Sequence, residues 1–316
     1  MNKIELQEPF KDILSEQNDS YLIKPYTIES FFADSKQINV PKYQRPYSWE
    51  KEHVMALLND ILSVSEGREN GWFIGSIFTT QTHDNSHVDI LDGQQRLTTI
   101  QIILNEIYLL KFEEKICNPI NKLGEILDAI TELLYTKKIG NTVTKFGADD
   151  HVREFWSEYI LGCKKIKSHS EIKKLKDNLE KIAEDSKHEG KRTADRMFKN
   201  ASTIKKFLYK NFVDYVDENN NEVQIKFEDK QQKFADFIIA TTKKLWLITT
   251  PLKSAEKSIN FFEGLNNRGK GLTITDKLRY KSFTRTKETN WDGLQKNWKE
   301  IYMGLEFLAS KKYIKD

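Results

Sequence analysis

The order of apolar and polar positions predicts short strands and helices in the first third of the chain. Residues 37–40, 72–80 and 87–91 are rich in β-branched and aromatic side chains, a composition that favours strands. Apolar residues recur every three to four positions over 54–62 and again over 97–107, which predicts helices with one buried face. The third strand is therefore followed by a tight loop and a helix.

The pattern changes to a mainly helical one beyond about residue 112. Helices are predicted at 126–134, 152–161, 172–182, 204–212 and 258–265, and strands at 223–227 and 244–250. We therefore expect an α/β (α+β) protein. Its mixed core would span residues 1–112, and its mainly helical region 113–316, with 240–285 returning to the core.

Composition restricts the class of protein. The 316 residues are 38% hydrophobic and 31% charged, as in a folded, charge-rich globular protein. No segment has the roughly 20 apolar residues that a membrane helix needs, and the N-terminus lacks a signal-peptide pattern. We therefore expect a cytoplasmic protein without a membrane partner. Cys117 and Cys163 lie far apart and are interpreted as ordinary thiols.

Charge is unevenly distributed along the chain. The formal net charge is only +3, but residues 163–212 contain 15 Lys or Arg against 7 Asp or Glu. Such a local excess suits the phosphate backbone of DNA. The candidate DNA contacts are Lys173, Lys174, Lys191 and Arg192. A solvated helix face is the alternative interpretation.

The loop Asp92-Gly93-Gln94-Gln95-Arg96 has the residues of an anion site. The first turn of a helix has unpaired N–H groups, glycine permits close approach of a ligand, and Arg96 offers a fork for phosphate. Asp92, Gln94 and Gln95 are candidates for orienting water, and Thr98 and Thr99 add hydroxyl groups. The loop matches no P-loop or dinucleotide fingerprint, so a polar cap with Arg96 in a structural ion pair stays open.

An aromatic segment precedes this loop in the sequence. Tyr43-Gln44-Arg45-Pro46-Tyr47-Ser48-Trp49 combines three aromatic rings with one arginine and one glutamine. Exposed rings and the guanidinium plane would stack on nucleobases. Burial of Tyr47 and Trp49 in the core is the favoured alternative for those two rings.

Four motifs in order resemble the N-terminal domain family of the GmrSD restriction endonucleases. The first three are Val40-Pro41-Lys42-Tyr43-Gln44-Arg45-Pro46-Tyr47-Ser48-Trp49, Phe73-Ile74-Gly75-Ser76-Ile77 and Asp89-Ile90-Leu91-Asp92-Gly93-Gln94-Gln95-Arg96-Leu97-Thr98-Thr99. The fourth is Phe262-Glu263-Gly264-Leu265-Asn266-Asn267-Arg268-Gly269-Lys270-Gly271-Leu272-Thr273, followed by Asp276. The resemblance covers roughly residues 25–285.

The resemblance implies a ParB/sulfiredoxin-like core followed by helices, with NTP binding and hydrolysis at the DGQQR loop. It also implies a role in restricting foreign DNA, such as DNA with glucosylated hydroxymethylcytosine or phosphorothioate linkages. The implied catalytic residues are Asp92, Gln94, Gln95 and Arg96, with Mg²⁺ and an NTP as cofactors. The implied nucleotide-binding residues are Tyr43, Gln44, Arg45 and Gly93, to which the helix end adds Thr98 and Thr99. Further candidates are Asn266, Arg268 and Asp276, for which a capped helix-turn-helix corner is the alternative interpretation.

One departure from the family affects DNA cleavage. Full-length relatives usually carry an HNH-type nuclease domain, whose histidine pattern is absent from this sequence. His83 and His87 are four residues apart across an expected turn, so we assign no metal site to them.

Three functions therefore remain open. The favoured one is an NTPase that regulates a nuclease domain or subunit elsewhere. The others are a non-catalytic sensor of modified DNA and an assembly subunit, and a homo-oligomer is compatible with each of them.

Overall fold

The computed structural model shows a mixed sheet with helices around it. It describes residues 24–35, 37–42, 44–81, 87–112, 122–138, 141–148, 152–185, 189–214, 226–252, 278–279, 281–283 and 285–310. The prediction of an α+β protein is confirmed. Within the described residues, no helix has both the length and the apolar content to cross a membrane.

The main sheet has six strands and contains elements from distant parts of the chain. The strands of the protein are β1 Lys24–Thr27, β2 Gln37–Asn39, β3 Trp72–Gln81, β4 His87–Asp92, β5 Tyr135–Lys138, β6 Asn141–Thr144, β7 Phe146–Gly147 and β8 Leu245–Leu252. The strand order in the sheet is β1-β8-β3-β4-β2-β7. The β1–β8 and β3–β4 pairs are antiparallel, and the other neighbours are parallel. Strands β5 and β6 form a separate hairpin.

Ten helices accompany the strands in the described residues. They are α1 Ile28–Asp34, α2 Lys51–Ser65, α3 Gln94–Leu109, α4 Lys122–Ala129, α5 Thr131–Leu134, α6 Arg153–Lys165, α7 His169–Asp185, α8 Glu189–Leu208, α9 Phe227–Ile239 and α10 Trp291–Ser310. Single π-helical turns at Tyr209–Val213 and Ala240–Lys244 extend α8 and α9.

Helix α3 lies at the centre of the protein. Every residue from Gln94 to Leu109 is buried except Arg96, although the sequence predicts only one apolar face. The reason is that α3 is surrounded, since α4, α5, α6 and α8 all contact it. Gln101, Asn105 and Glu106 are consequently buried polar residues, at 1%, 0% and 2% exposure.

A smaller apolar cluster attaches the C-terminal part of the protein to the sheet. Phe283 and Trp298 pack with Phe78 of β3 and Leu91 of β4. Leu91 directly precedes Asp92. The C-terminal helix α10 therefore lies against the strands that carry two of the motifs.

Several predicted elements differ from those observed. The predicted helix 126–134 is divided at Ile130 into α4 and α5, and the hairpin of β5 and β6 follows where a helical region was expected. The predicted strand 223–227 falls mostly outside the described residues, and Phe227 begins helix α9 instead. The predicted helix 258–265 lies outside the described residues.

Candidate functional site

The loop between β4 and α3 requires glycine at position 93. Gly93 is the N-cap of α3 and has a left-handed conformation, with φ 94° and ψ 2°. A Cβ atom at this position would lie 2.1 Å from Cδ1 of Ile77 on β3. Both the backbone angle and the close contact thus exclude a side chain.

The two glutamines of the loop attach the helix to the segment that follows Gln44. The Nε2 atom of Gln95 donates to the carbonyl of Pro46 (3.1 Å), and its Oε1 accepts from the amide of Ser48 (2.7 Å). The Nε2 atom of Gln94 donates to the carbonyl of Arg45 (2.6 Å). The side chain of Gln95 therefore has a partner for both its donor and its acceptor.

Arg96 donates hydrogen bonds to the part of β3 that lies beyond the pairing of β3 with β4. The pairing of β3 with β4 ends at Phe78 and Asp92, so the carbonyls of Ile74 and Ser76 lie beyond it. Arg96 donates from Nη1 to the carbonyl of Ile74 (2.6 Å) and from Nη2 to that of Ser76 (2.8 Å). Alternate carbonyls of a strand point to the same side, which suits the two prongs of a guanidinium.

The second motif supplies the space for this arginine. Gly75 has φ 107°, and a Cβ atom there would lie 2.0 Å from Nη1 of Arg96. The missing side chain at Gly75, in the Phe73–Ile77 motif, thus leaves the space that the guanidinium of Arg96, in the third motif, occupies. Two motifs separated in sequence form one structural unit at this point.

The electrostatics of Arg96 are governed by burial and by Asp92. Burial lowers the pKa of the Arg96 guanidinium, and the Asp92 carboxylate opposes this shift. The Oδ2 atom of Asp92 lies 3.4 Å from Nη2 of Arg96, and the two side chains are 38% and 23% exposed. This confirms that Arg96 has an ion-pair partner, as the alternative interpretation of the loop required. A guanidinium has five N–H groups, and the three contacts with Ile74, Ser76 and Asp92 use three of them.

The first motif lies against the same loop. Gln44 donates from Nε2 to the carbonyl of Leu91 (2.6 Å), next to Asp92. Tyr47 is buried at 3% exposure, and its hydroxyl lies 2.8 Å from Oγ1 of Thr99, which in turn donates to the carbonyl of Gln95. Trp49 is partly buried against the core, so the favoured core interpretation of both rings is confirmed.

Helix α8 adds two residues that sequence reasoning missed. Asn200 donates to the hydroxyl of Tyr47 (3.0 Å) and to the carbonyl of Trp49 (2.8 Å). Arg196 donates to the carbonyl of Tyr47 (3.2 Å) and pairs with Glu50 (3.0 Å). Asn200 falls among the buried positions Met197, Ala201 and Ile204, and a polar residue on an apolar face was the available signal.

Burial raises the pKa of Tyr47 to about 12, despite opposing hydrogen bonds from Thr99 and Asn200. Its hydroxyl is therefore a neutral structural group at ordinary pH. Together, residues 44–49, 73–77 and 91–99 form one hydrogen-bonded unit, which we call the motif junction.

One buried polar side-chain atom of the motif junction has no hydrogen-bond partner among the described residues. Gln94 is 6% exposed, and its Oε1 atom has no hydrogen-bond partner among the described residues. The same holds for Oε1 of Gln101 and Oδ1 of Asn105, which lie deeper along α3. Gln94 differs from these two because it begins the helix, beside the partly exposed side chains of Asp92 and Arg96.

The remaining predicted site residues are placed as follows. Thr98 and Thr99 are buried, at 4% and 0% exposure, and the side chain of Arg45 is exposed. Lys173, Lys174 and Arg192 are exposed, and Lys191 lies in α8. Tyr43, Asn266, Arg268 and Asp276 lie outside the described residues. In the described part of the chain, no three His, Cys, Asp or Glu side chains cluster as a metal site.

Comparison with known proteins identifies the family. No curated protein matches the chain. The family model described as the GmrSD restriction endonuclease N-terminal domain matches residues 28–283, which include all four motifs and the whole motif junction. The chain therefore belongs to the GmrSD restriction endonuclease N-terminal domain family and is a component of a restriction system.

Proposed function

We propose that the chain binds and hydrolyses a nucleoside triphosphate at the Asp92–Arg96 loop, and that turnover regulates DNA cleavage by a nuclease domain or subunit elsewhere. The observation that carries this proposal is the partnerless Oε1 atom of Gln94. A buried acceptor without a donor costs about 1 to 3 kcal/mol, and a bound water would remove that cost. Gln94 is the first residue of α3, and the first-turn amides of a helix attract phosphate.

The contacts of the loop suggest separate roles for its side chains. The amides of the first helical turn would hold phosphate oxygens, and the two remaining N–H groups of Arg96 would neutralise charge that develops during transfer. Gln94 would accept a hydrogen bond from the water that attacks the terminal phosphorus. The bond between that phosphorus and the bridging oxygen breaks, and the products are a nucleoside diphosphate and phosphate.

Asp92 suits the magnesium that accompanies a nucleotide. Mg²⁺ commonly uses one or two protein carboxylates and takes its other ligands from phosphates and water. The side chain of Asp92 is 38% exposed, so its carboxylate is accessible although it lies 3.4 Å from Arg96. When bound, the metal would neutralise phosphate charge. Gln95 and Thr99 would keep the loop in position rather than touch the nucleotide.

The test separates Gln94 from Gln95. Phosphate release would be measured for each of the four NTPs with Mg²⁺, with and without DNA, for the wild type, Gln94→Leu and Gln95→Leu. Gln94→Leu removes one hydrogen bond and also the partnerless acceptor, so we expect its stability to stay within about 1 kcal/mol of the wild type. We expect its turnover to fall at least about a hundredfold, because loss of a water-orienting group affects only the reaction.

Gln95→Leu is the matched control, since it removes two hydrogen bonds that hold the motif junction. We expect it to lose about 1 to 3 kcal/mol of stability. A Gln94→Leu protein that turns over at the wild-type rate would contradict the role of Gln94. Absence of turnover by the wild type with every NTP would contradict the NTPase proposal and favour a non-catalytic DNA-binding module.

A further inference from the structure

The outer surface of α8 has an unusual charge distribution. Between residues 192 and 213, the side chains in the exposed class are Arg192, Lys199, Lys206 and Lys210, and all four are basic. Arg192, Lys199 and Lys206 follow one another at intervals of seven residues, and Lys210 lies four residues after Lys206. Seven residues are almost two full helical turns, so Arg192, Lys199 and Lys206 form a row on one side of α8, and Lys210 follows on the π-helical turn that extends the helix. We call this row the α8 stripe.

The neighbouring helix α7 is basic as well, but its charges are balanced. Its exposed Lys173, Lys174 and Lys181 alternate with exposed Asp177 and Glu180. Asp177 lies four residues from both Lys173 and Lys181, a spacing at which opposite charges on a helix attract each other. On α8 the only acidic residue between 192 and 213 is Asp195, which is half-buried. Among the described residues, the exposed side chains of 192–213 are thus all basic, whereas the exposed side chains of α7 carry both signs of charge.

The dimensions of the stripe fit a rod-shaped polyanion. The 18 steps from Arg192 to Lys210 rise about 27 Å along a helix axis. About eight base-pair steps of duplex DNA, at about 3.4 Å each, span the same length. Lysine side chains on a straight helix contact phosphates as point charges, without reading the bases.

The side of α8 next to the stripe holds the motif junction. Asn200 follows Lys199 directly and binds Tyr47 and Trp49, and Arg196 lies between Arg192 and Lys199 and binds the carbonyl of Tyr47. Helix α8 thus carries the stripe and, on the adjacent side, the hydrogen bonds to the segment that holds Gln94 and Gln95.

We propose that the α8 stripe is the surface on which this protein holds the phosphate backbone of duplex DNA. The inference deepens the proposed function and rests on it in one respect, because a switch that governs DNA cleavage has to register DNA. Binding itself needs no nucleotide. It is therefore measured in the absence of nucleotide, so that failure of the NTPase proposal leaves this result intact.

The experiment compares two triple variants. One replaces Lys199, Lys206 and Lys210 by Gln, and the matched control replaces Lys173, Lys174 and Lys181 by Gln on α7. Affinity for a labelled, unmodified 20-base-pair duplex would be followed by fluorescence anisotropy from about 50 to 200 mM KCl. Urea unfolding of all three proteins would verify that each is folded.

We expect the α8 variant to bind at least about tenfold more weakly at low salt. Each lost phosphate contact reduces the slope of log affinity against log salt by about 0.9, so three lost contacts reduce it by about 2.7. The α7 variant should keep the wild-type slope, and only the α8 variant should lose any effect of DNA on NTP turnover.

Three outcomes would overturn the proposal. The first is an α8 variant that binds DNA like the wild type. The second is an equal loss of affinity in the α7 and α8 variants, which would indicate bulk charge alone. The third is a wild type that binds duplex RNA or a poly-glutamate peptide more tightly than DNA.

Discussion

The motif junction and the α8 stripe are connected through Asn200, which follows Lys199 and binds Tyr47. The polar groups of the two regions have different environments. In the junction, the side chains of Gln95 and Arg96 bond to main-chain atoms of other segments, at distances of 2.6 to 3.1 Å. In the stripe, the lysines lie on a solvent-facing helix surface. Stability and function are consequently coupled at Gln95 and Arg96 and separable in the stripe.

The difference teaches how each region should be tested. A substitution at Gln95 or Arg96 should disturb the fold before it reports on chemistry, whereas a charge change in the stripe should alter binding without disturbing the fold. Three further substitutions examine this contrast within the junction.

The largest expected effect belongs to Gly75→Ala. The backbone has φ 107°, and the new Cβ atom would lie 2.0 Å from Nη1 of Arg96. Strain and clash together should lower the free energy of unfolding by about 3 kcal/mol or more, measured by urea denaturation.

Gly67→Ala separates the two causes. Gly67 also has a positive φ of 75°, but a Cβ atom there has nothing within 4 Å. Its cost should be only about 1 to 2 kcal/mol. Equal losses in the two variants would show that the contact with Arg96 does not matter, and the close fit of the second and third motifs would then be wrong.

Arg96→Lys should have an intermediate effect. A single ammonium group cannot donate to the carbonyls of Ile74 and Ser76 with the geometry of a guanidinium, so one carbonyl loses its partner. We expect a loss of about 1 to 3 kcal/mol in the free energy of unfolding. The control is Arg68→Lys, where the arginine is 61% exposed and pairs with the exposed Glu66, and its stability should change by less than about 0.5 kcal/mol.

Tyr47→Phe should have the smallest effect at neutral pH, about 1 kcal/mol, because it removes one hydroxyl from a buried network. Its pH dependence is more informative. The folded-state pKa of Tyr47 is raised to about 12, above the ordinary value of 10. The stabilising contribution of the neutral hydroxyl is therefore fully present below pH 10 and is lost as the pH rises toward 12.

Phenylalanine has no such loss, so the stability difference between wild type and Tyr47→Phe should shrink between pH 10 and 12. Denaturation midpoints at pH 8, 10 and 11 would test this, and the titration of other tyrosines cancels in the comparison. A constant difference would mean that the Tyr47 hydroxyl is not buried as described.

The sequence alone determined the local elements around the loop and the identity of its residues. Alternating and helical apolar spacing located β3, β4 and α3, because burial on one face imposes a period on the chain. It failed at the β5–β6 hairpin, which lies in the region expected to be mainly helical and for which no strand was predicted, although the β-branched run of Thr142, Val143 and Thr144 favours one. It also failed to identify the polar residues of α3 as buried, because periodicity describes a helix with one covered face.

Only the tertiary structure decided how the motifs act on one another. Glycine at 75, arginine at 96 and asparagine at 200 have no periodic relation in the sequence. In the fold, Arg96 occupies the space beside Gly75 and bonds β3, while Asn200 bonds the aromatic segment of the same motif junction. Local composition fixes which backbone conformations are favourable. Which carbonyls lack a partner at the end of a strand, and which distant side chain reaches them, depends on how the strands and helices pack.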